Sequence, residues 1–125
     1  GKVLFPGFVS DVRSWFWASD IYVFPSDKLD AFGISLLEAM ASGLPPIATN
    51  VGGPLEMIQD GINGVITEPG NCDALAEAMA KMVSNADFRK RIAGNAIISS
   101  ERFDIENVAE ETVNFYNEIL NDANR

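Results

Sequence analysis

Histidine is absent from this sequence and cysteine occurs once, as Cys72. A lone thiol builds neither a disulfide framework nor a thiolate metal cluster. Basic side chains are scarce as well: 9 Lys and Arg stand against 18 Asp and Glu, a formal net charge of −9. That balance opposes nucleic acid and anionic membrane surfaces as general partners, so any bound phosphate has to be held by local geometry. No stretch reaches the roughly 18 consecutive apolar residues of a membrane span, and the N-terminus lacks the basic-then-apolar layout of a secretory signal. Linkers, internal repeats and low-complexity runs are missing too. What is present is a globular composition, 47% hydrophobic and 22% charged over 125 residues, enough for one domain with a real core. The chain enters a strand-like run directly after Gly1-Lys2, the start expected of a fragment of something longer.

Apolar runs and turn residues predict alternating strands and helices. Val3-Leu4-Phe5, closed by Pro6-Gly7, reads as a buried strand. Ser10 or Asp11 then caps a helix through about Ser19. Its Trp15, Phe16 and Trp17 cannot all face one way, because adjacent residues sit about 100° apart around the axis. This cluster reads as core or interface, with an aromatic platform for a base or sugar as the lesser alternative. Ile21-Tyr22-Val23-Phe24 predicts a central strand, Pro46 to Thr49 a third and Val65 to Thr67 a fourth. A short helix is expected over Pro54 to Gln59. Asp73 is expected to cap a helix with Leu75, Ala76, Met79, Met82 and Val83 on one stripe. Further helices are expected over about Asp87 to Ile98 and Ile105 to Asn121. Such alternation implies an α/β fold, a parallel sheet layered by helices, with ligands beyond the carboxyl ends of the strands. The loops at 6–9, 25–33 and 49–53 then share one edge.

Residues 30–43 form the central stretch: a loop with Asp30 and the step Phe32-Gly33, then a helix stopped by Gly43. Ile34, Leu36, Leu37, Ala39, Met40 and Ala41 leave it no polar face, which predicts burial. Only Glu38 interrupts it, and a buried carboxylate costs several kcal/mol unless something hydrogen-bonds it. A carboxylate can take two hydroxyls side by side, as in a ribose diol; a structural salt bridge is the alternative. Amides of Phe32, Gly33, Ile34, Ser35 and Leu36 at the helix start suit a phosphate, although every helix has such an end. Gly52-Gly53 reads as an anion nest or as a tight turn. Asp30 could accept from a hydroxylated group or simply be solvated. An acid–base pair of Asp30 and Glu38 would need one raised pKa, of which the sequence gives no sign.

Taken in order, several motifs resemble a known family. They are Phe24-Pro25-Ser26, Asp30-x-Phe32-Gly33, Leu37-Glu38-Ala39-Met40-Ala41-Ser42-Gly43-x-Pro45, Gly52-Gly53-x-x-Glu56 and Asp60-Gly61-x-Asn63-Gly64. Together they are similar to the C-terminal, donor-binding domain of retaining GT-B glycosyltransferases, the group with sucrose, mannose and glycogen synthase-like enzymes. The similarity runs from about residue 4 to 120. It implies a Rossmann-like parallel sheet with flanking helices and a nucleotide diphosphate sugar as donor substrate, with no further cofactor and no metal. By the resemblance Glu38 binds the ribose hydroxyls and Asp30 the transferred sugar, as the catalytic position. Amides from Phe32 to Leu36 would hold sugar hydroxyls and diphosphate. Gly7 to Val9 would border the base, with Thr49, Gly52 and Gly53 close by.

Two departures stand out. The first acidic position is usually Glu in the family and is Asp30 here, one methylene shorter. The family's basic residues for the diphosphate, and its whole acceptor-binding N-terminal domain, lie upstream of the matched part. The resemblance therefore implies a fragment inactive alone, which needs the missing N-terminal domain as partner. The acidic balance argues against nucleic acid, and uncovered apolar surface with a sheet edge predicts self-association. A cytoplasmic enzyme is expected, or one peripheral at a membrane when full-length. A non-catalytic nucleotide-sugar binding module and a GT-B epimerase are the competing readings.

Overall fold

The computed structural model describes residues 2–28 and 32–123. Three short parallel strands run through them: β1 (Tyr22–Phe24), β2 (Pro46–Thr49) and β3 (Val65–Thr67), in the spatial order β1-β2-β3. Val23 lies opposite Ile47, and Ile47 opposite Val65. Parallel neighbours need a crossover, supplied by α2 (Ile34–Ala41) between β1 and β2 and by α3 (Pro54–Met57) between β2 and β3. α1 (Arg13–Trp17) precedes the sheet, and α4 (Cys72–Ser84), α5 (Ala86–Ser100), a 3-10 turn at Glu101–Phe103 and α6 (Ile105–Ala123) follow it.

β2 is buried along its whole length, and successive residues serve opposite faces of the sheet. Ala48 joins Leu36, Met40, Met57, Ile58 and Ala96 on one side. Ile47 joins Ala78, Met82 and Ile92 on the other. The expected central strand at Ile21–Phe24 is instead the half-buried edge β1 among the described residues, since only β2 pairs with it.

Other expectations change for physical reasons. Val3-Leu4-Phe5 forms no strand; the three residues are 72%, 72% and 89% exposed, and none of the three strands runs beside them. α1 is only five residues long and starts after Val12. The Asp11 carboxylate accepts from the Arg13 amide at 3.1 Å and from Arg13 Nε at 2.9 Å. That hydrogen bonding holds the Asp11 carboxyl below its ordinary pKa, at a fully exposed site where such a pair contributes little. Of the aromatic trio only Phe16 turns inward, edge-on to Tyr22 at 5.8 Å, while Trp17 remains exposed.

Asn71, not Asp73, caps α4 by accepting from the Ala74 amide at 3.0 Å, and Asn85 caps α5 through Phe88 at 2.9 Å. An Asn just before the first turn reaches the third amide, whereas Asp73 already lies inside the helix. The inner face of α4 is Leu75, Ala78 and Met82; Ala76, Met79 and Val83 are turned outward. α6 carries its apolar residues exposed.

One buried side chain closes the connection from α3 to β3. Asn63 accepts from the Gln59 amide at 2.6 Å and donates to the Met57 carbonyl at 2.9 Å. Asn63→Ala should therefore lower the unfolding free energy by about 2–4 kcal/mol, because it leaves two shielded backbone groups unpaired. Denaturant titration checks this, and a loss under about 0.5 kcal/mol would show that water replaces both bonds.

Candidate functional site

All three strands are parallel, so the loops after β1, β2 and β3 emerge on one edge. Thr49, buried at the end of β2, ties two of them together by donating to the Ser26 carbonyl at 2.5 Å. Pro25, Asp27, Thr49, Glu68, Asn71 and Cys72 border a cleft of ≈ 220 Å³ there. Among the described residues no three His, Cys, Asp or Glu side chains converge as a metal site.

At the start of α2, Gly33 has φ 84°, a left-handed angle that glycine adopts without penalty. Leu36 and Leu37 both donate to the Gly33 carbonyl, at 2.9 and 3.2 Å. The amides of Ile34 and Ser35 thus come before the first rung of the helix. Gly52 is also left-handed, at φ 55°. Gly53 is needed for space: a Cβ there would lie 2.3 Å from the Phe32 Cα. Phe32 and Gly33 therefore meet Gly52-Gly53 at the start of α2, while Thr49 borders the neighbouring cleft with Pro25 and Glu68.

Four expected residues are placed differently. Leu36 is fully buried and its amide is bonded to Gly33, so it backs the site from the core. Gly7 and Val9 do not leave a strand end, because none forms before them; a Cβ on Gly7 would meet nothing within 4 Å. Glu38 is exposed instead of buried. α2 is eight residues long; it buries Leu36, Ala39 and Met40, with Leu37 partly buried beside them. Ile34, at 67% exposure, Glu38 and Ala41 form its outer strip. Glu38 borders an open groove of ≈ 350 Å³ with Leu37, Ile97, Ser100 and Phe103. The expected desolvated carboxylate is thus absent, and so is its structural ion pair: among the described residues the single salt bridge is Arg13–Asp11. Asp30 lies outside the described residues.

Two contacts were missed by sequence reasoning. Tyr22 donates from its phenol to Ser35 Oγ at 2.9 Å. Phe103 meets the Phe32 ring edge-on, with centroids 5.4 Å apart. The first has a sequence signal in hindsight: Tyr22 and Phe24 alternate onto one face of β1, the face under α2. The second joins residues 71 positions apart and has none.

The family described as glycosyl transferases group 1 matches residues 1–98. An uncharacterized glycosyltransferase of Methanocaldococcus jannaschii is 38% identical over 118 residues, covering 92% of this chain and 30% of that protein. The N-acetyl-alpha-D-glucosaminyl L-malate synthase of Bacillus anthracis is 33% identical, over 97% of this chain and 32% of its own length. Among solved structures, Anabaena HepE in complex with UDP and glucose is similar with a TM-score of 0.87 and 30% identity, over 94% of this chain and 32% of that one. The chain thus spans about a third of the length of these relatives. Its parallel sheet with flanking helices is a portion of their GT-B fold. A match that takes in most of the sequence, together with this shared architecture, makes the chain a member of the glycosyl transferases group 1 family.

Proposed function

We propose that this chain is the latter part of the donor-binding, C-terminal domain of a retaining glycosyltransferase. The whole protein would move a sugar from a nucleotide diphosphate sugar to an acceptor held by its other domain. The observation that carries this reading is the convergence of Phe32, Gly33 and Gly53 at the start of α2, on the carboxyl edge of the sheet. Support comes from Anabaena HepE, a similar structure solved with UDP-glucose.

The reaction needs a place for the negative charge that grows on the departing diphosphate. Helix-end amides, aligned before the reaction begins, stabilise that charge without reorganising, and no metal ion is required of this half of the site. The chain's own charge of −9 works against the diphosphate, so basic side chains must come from the rest of the protein. Asp30 would contact the transferred sugar. Glu38 would accept both ribose hydroxyls, and its exposure on α2 leaves it accessible to them. Alone, the 125-residue chain lacks the acceptor site and those cations, and no transfer by it is expected.

Each hydrogen bond to a charged group contributes about 1.5–3 kcal/mol. Glu38→Ala in the full-length enzyme should therefore lower kcat/KM at least tenfold; wild-type turnover in that variant would sink the assignment. A second measurement concerns the isolated chain, where edge strand β1 and exposed Leu4, Phe5, Phe8 and Trp17 lack cover. Sedimentation should show concentration-dependent association, and a clean monomer at high concentration would count against it.

A further inference from the structure

The contact between Tyr22 and Ser35 is the single side chain–side chain hydrogen bond that joins two secondary-structure elements among the described residues. It sits at the rim of an otherwise apolar packing, where β1 meets the first turn of α2. Tyr22 is half-buried and its ring is held by Phe16, edge-on at 5.8 Å with an interplanar angle of 90°. Ser35 is exposed. The phenol, the more acidic of the two hydroxyls, gives its hydrogen to Ser35 Oγ. That occupies one lone pair of the serine oxygen and turns the serine hydrogen away from Tyr22. Ser35 is also the second residue of α2, so its amide precedes the first helical rung.

We propose that Tyr22 is a positioning residue for the donor: by fixing the Ser35 hydroxyl, it aims a hydrogen bond from that hydroxyl at the diphosphate. This rests on the donor reading given above. The pair adds a side-chain donor to an anion site that otherwise relies on backbone amides, in a chain with few cations to spare.

The test uses the full-length protein. UDP, GDP and ADP are titrated in turn into the wild type, and the tightest binder becomes the probe. Tyr22→Phe keeps the ring and removes one oxygen; Ser35→Ala changes an exposed side chain, so both variants should fold. Each is expected to weaken the Kd for the probe by roughly three- to tenfold. The double variant should be no weaker than Ser35→Ala alone, since the two oxygens act as one unit. Ser35→Thr, which keeps the hydroxyl, should bind within about twofold of wild type. A purely structural contact would shift the melting temperature of Tyr22→Phe and leave the Kd unchanged, which overturns the proposal. Effects that multiply in the double variant also overturn it, because Tyr22 would then act independently of Ser35. Glu38→Ala serves as control. If it weakens the probe while Tyr22→Phe does not, the Tyr22 role alone fails. If neither matters, or the wild type binds none of the three nucleotides, the donor reading fails with it.

Discussion

At Gly53 the backbone leaving β2 passes so close to Phe32 that a single methyl group would not fit; its carbon would stand 2.3 Å from the Phe32 Cα. The position has ordinary helical angles, φ −49° and ψ −41°, so glycine is required there for room, not for conformation. This crossing brings the loop after β1 against the loop after β2, two segments that the sheet alone would only place side by side. Its neighbours depend on it. The position of a Cβ on Gly33 would be 3.6 Å from the Met57 methyl, so the α2 start is seated against α3, which begins one residue after Gly53. Thr49 repeats the tie lower down by donating to the Ser26 carbonyl. Phe103 then closes over Phe32 from the far end of the chain, and Arg102 beside it donates to the Glu56 carbonyl at the end of α3. Phe32 and the start of α2 are thus in contact with the β2–α3 connection, with α3 and with the 3-10 turn.

Burial is distributed unevenly around that core. β2, with a strand on either side and a helical layer on each face, has no exposed residue. β1 and α2 are covered on one side only, and the N-terminal apolar segment and α6 have almost no cover at all. The acidic residues of α6, Glu106, Glu110, Glu111, Glu118 and Asp122, flank its exposed apolar stripe and are not balanced by any basic residue on that helix. The chain spans about a third of the length of these relatives, and such half-covered elements are in keeping with a portion of a larger fold.

Legibility in the sequence follows the same division. β2 and β3 were readable to the residue, because short β-branched runs bounded by turn residues have one sensible reading once both faces are buried. Local rules failed where distant partners decide. Val3-Leu4-Phe5 has the composition of a strand, but a strand needs a neighbour to take its N–H and C=O groups, and the described sheet offers none there. The cap of α4 moved from Asp73 to Asn71 because both are good capping residues and only geometry chooses between them. At the candidate site, the unusual backbone at Gly52 was legible from the double glycine. The Tyr22 contact was not, since it depends on which strand face lies under which helical turn.

Glu38 carries the largest revision. The all-apolar character of α2 suggested a buried helix with one costly carboxylate, and the structure shows a one-sided helix with Glu38 on its open strip. Exposure changes the energetics in favour of binding. A carboxylate already solvated in the folded chain imposes no folding penalty, and in the proposed role it would exchange water for two hydroxyls at little desolvation cost. Helical spacing adds a constraint on what lies across it. Ser35 and Glu38 are three residues apart, hence neighbours on one face with their α-carbons separated by about 4.5 Å along the axis. In the proposed roles, a ligand that accepts a hydrogen bond from Ser35 and donates to Glu38 would present paired hydroxyls within a few ångströms of its phosphate. A ribose joined directly to a diphosphate satisfies that spacing, whereas a free sugar offers hydroxyls without the anion and an inorganic phosphate the anion without the hydroxyls.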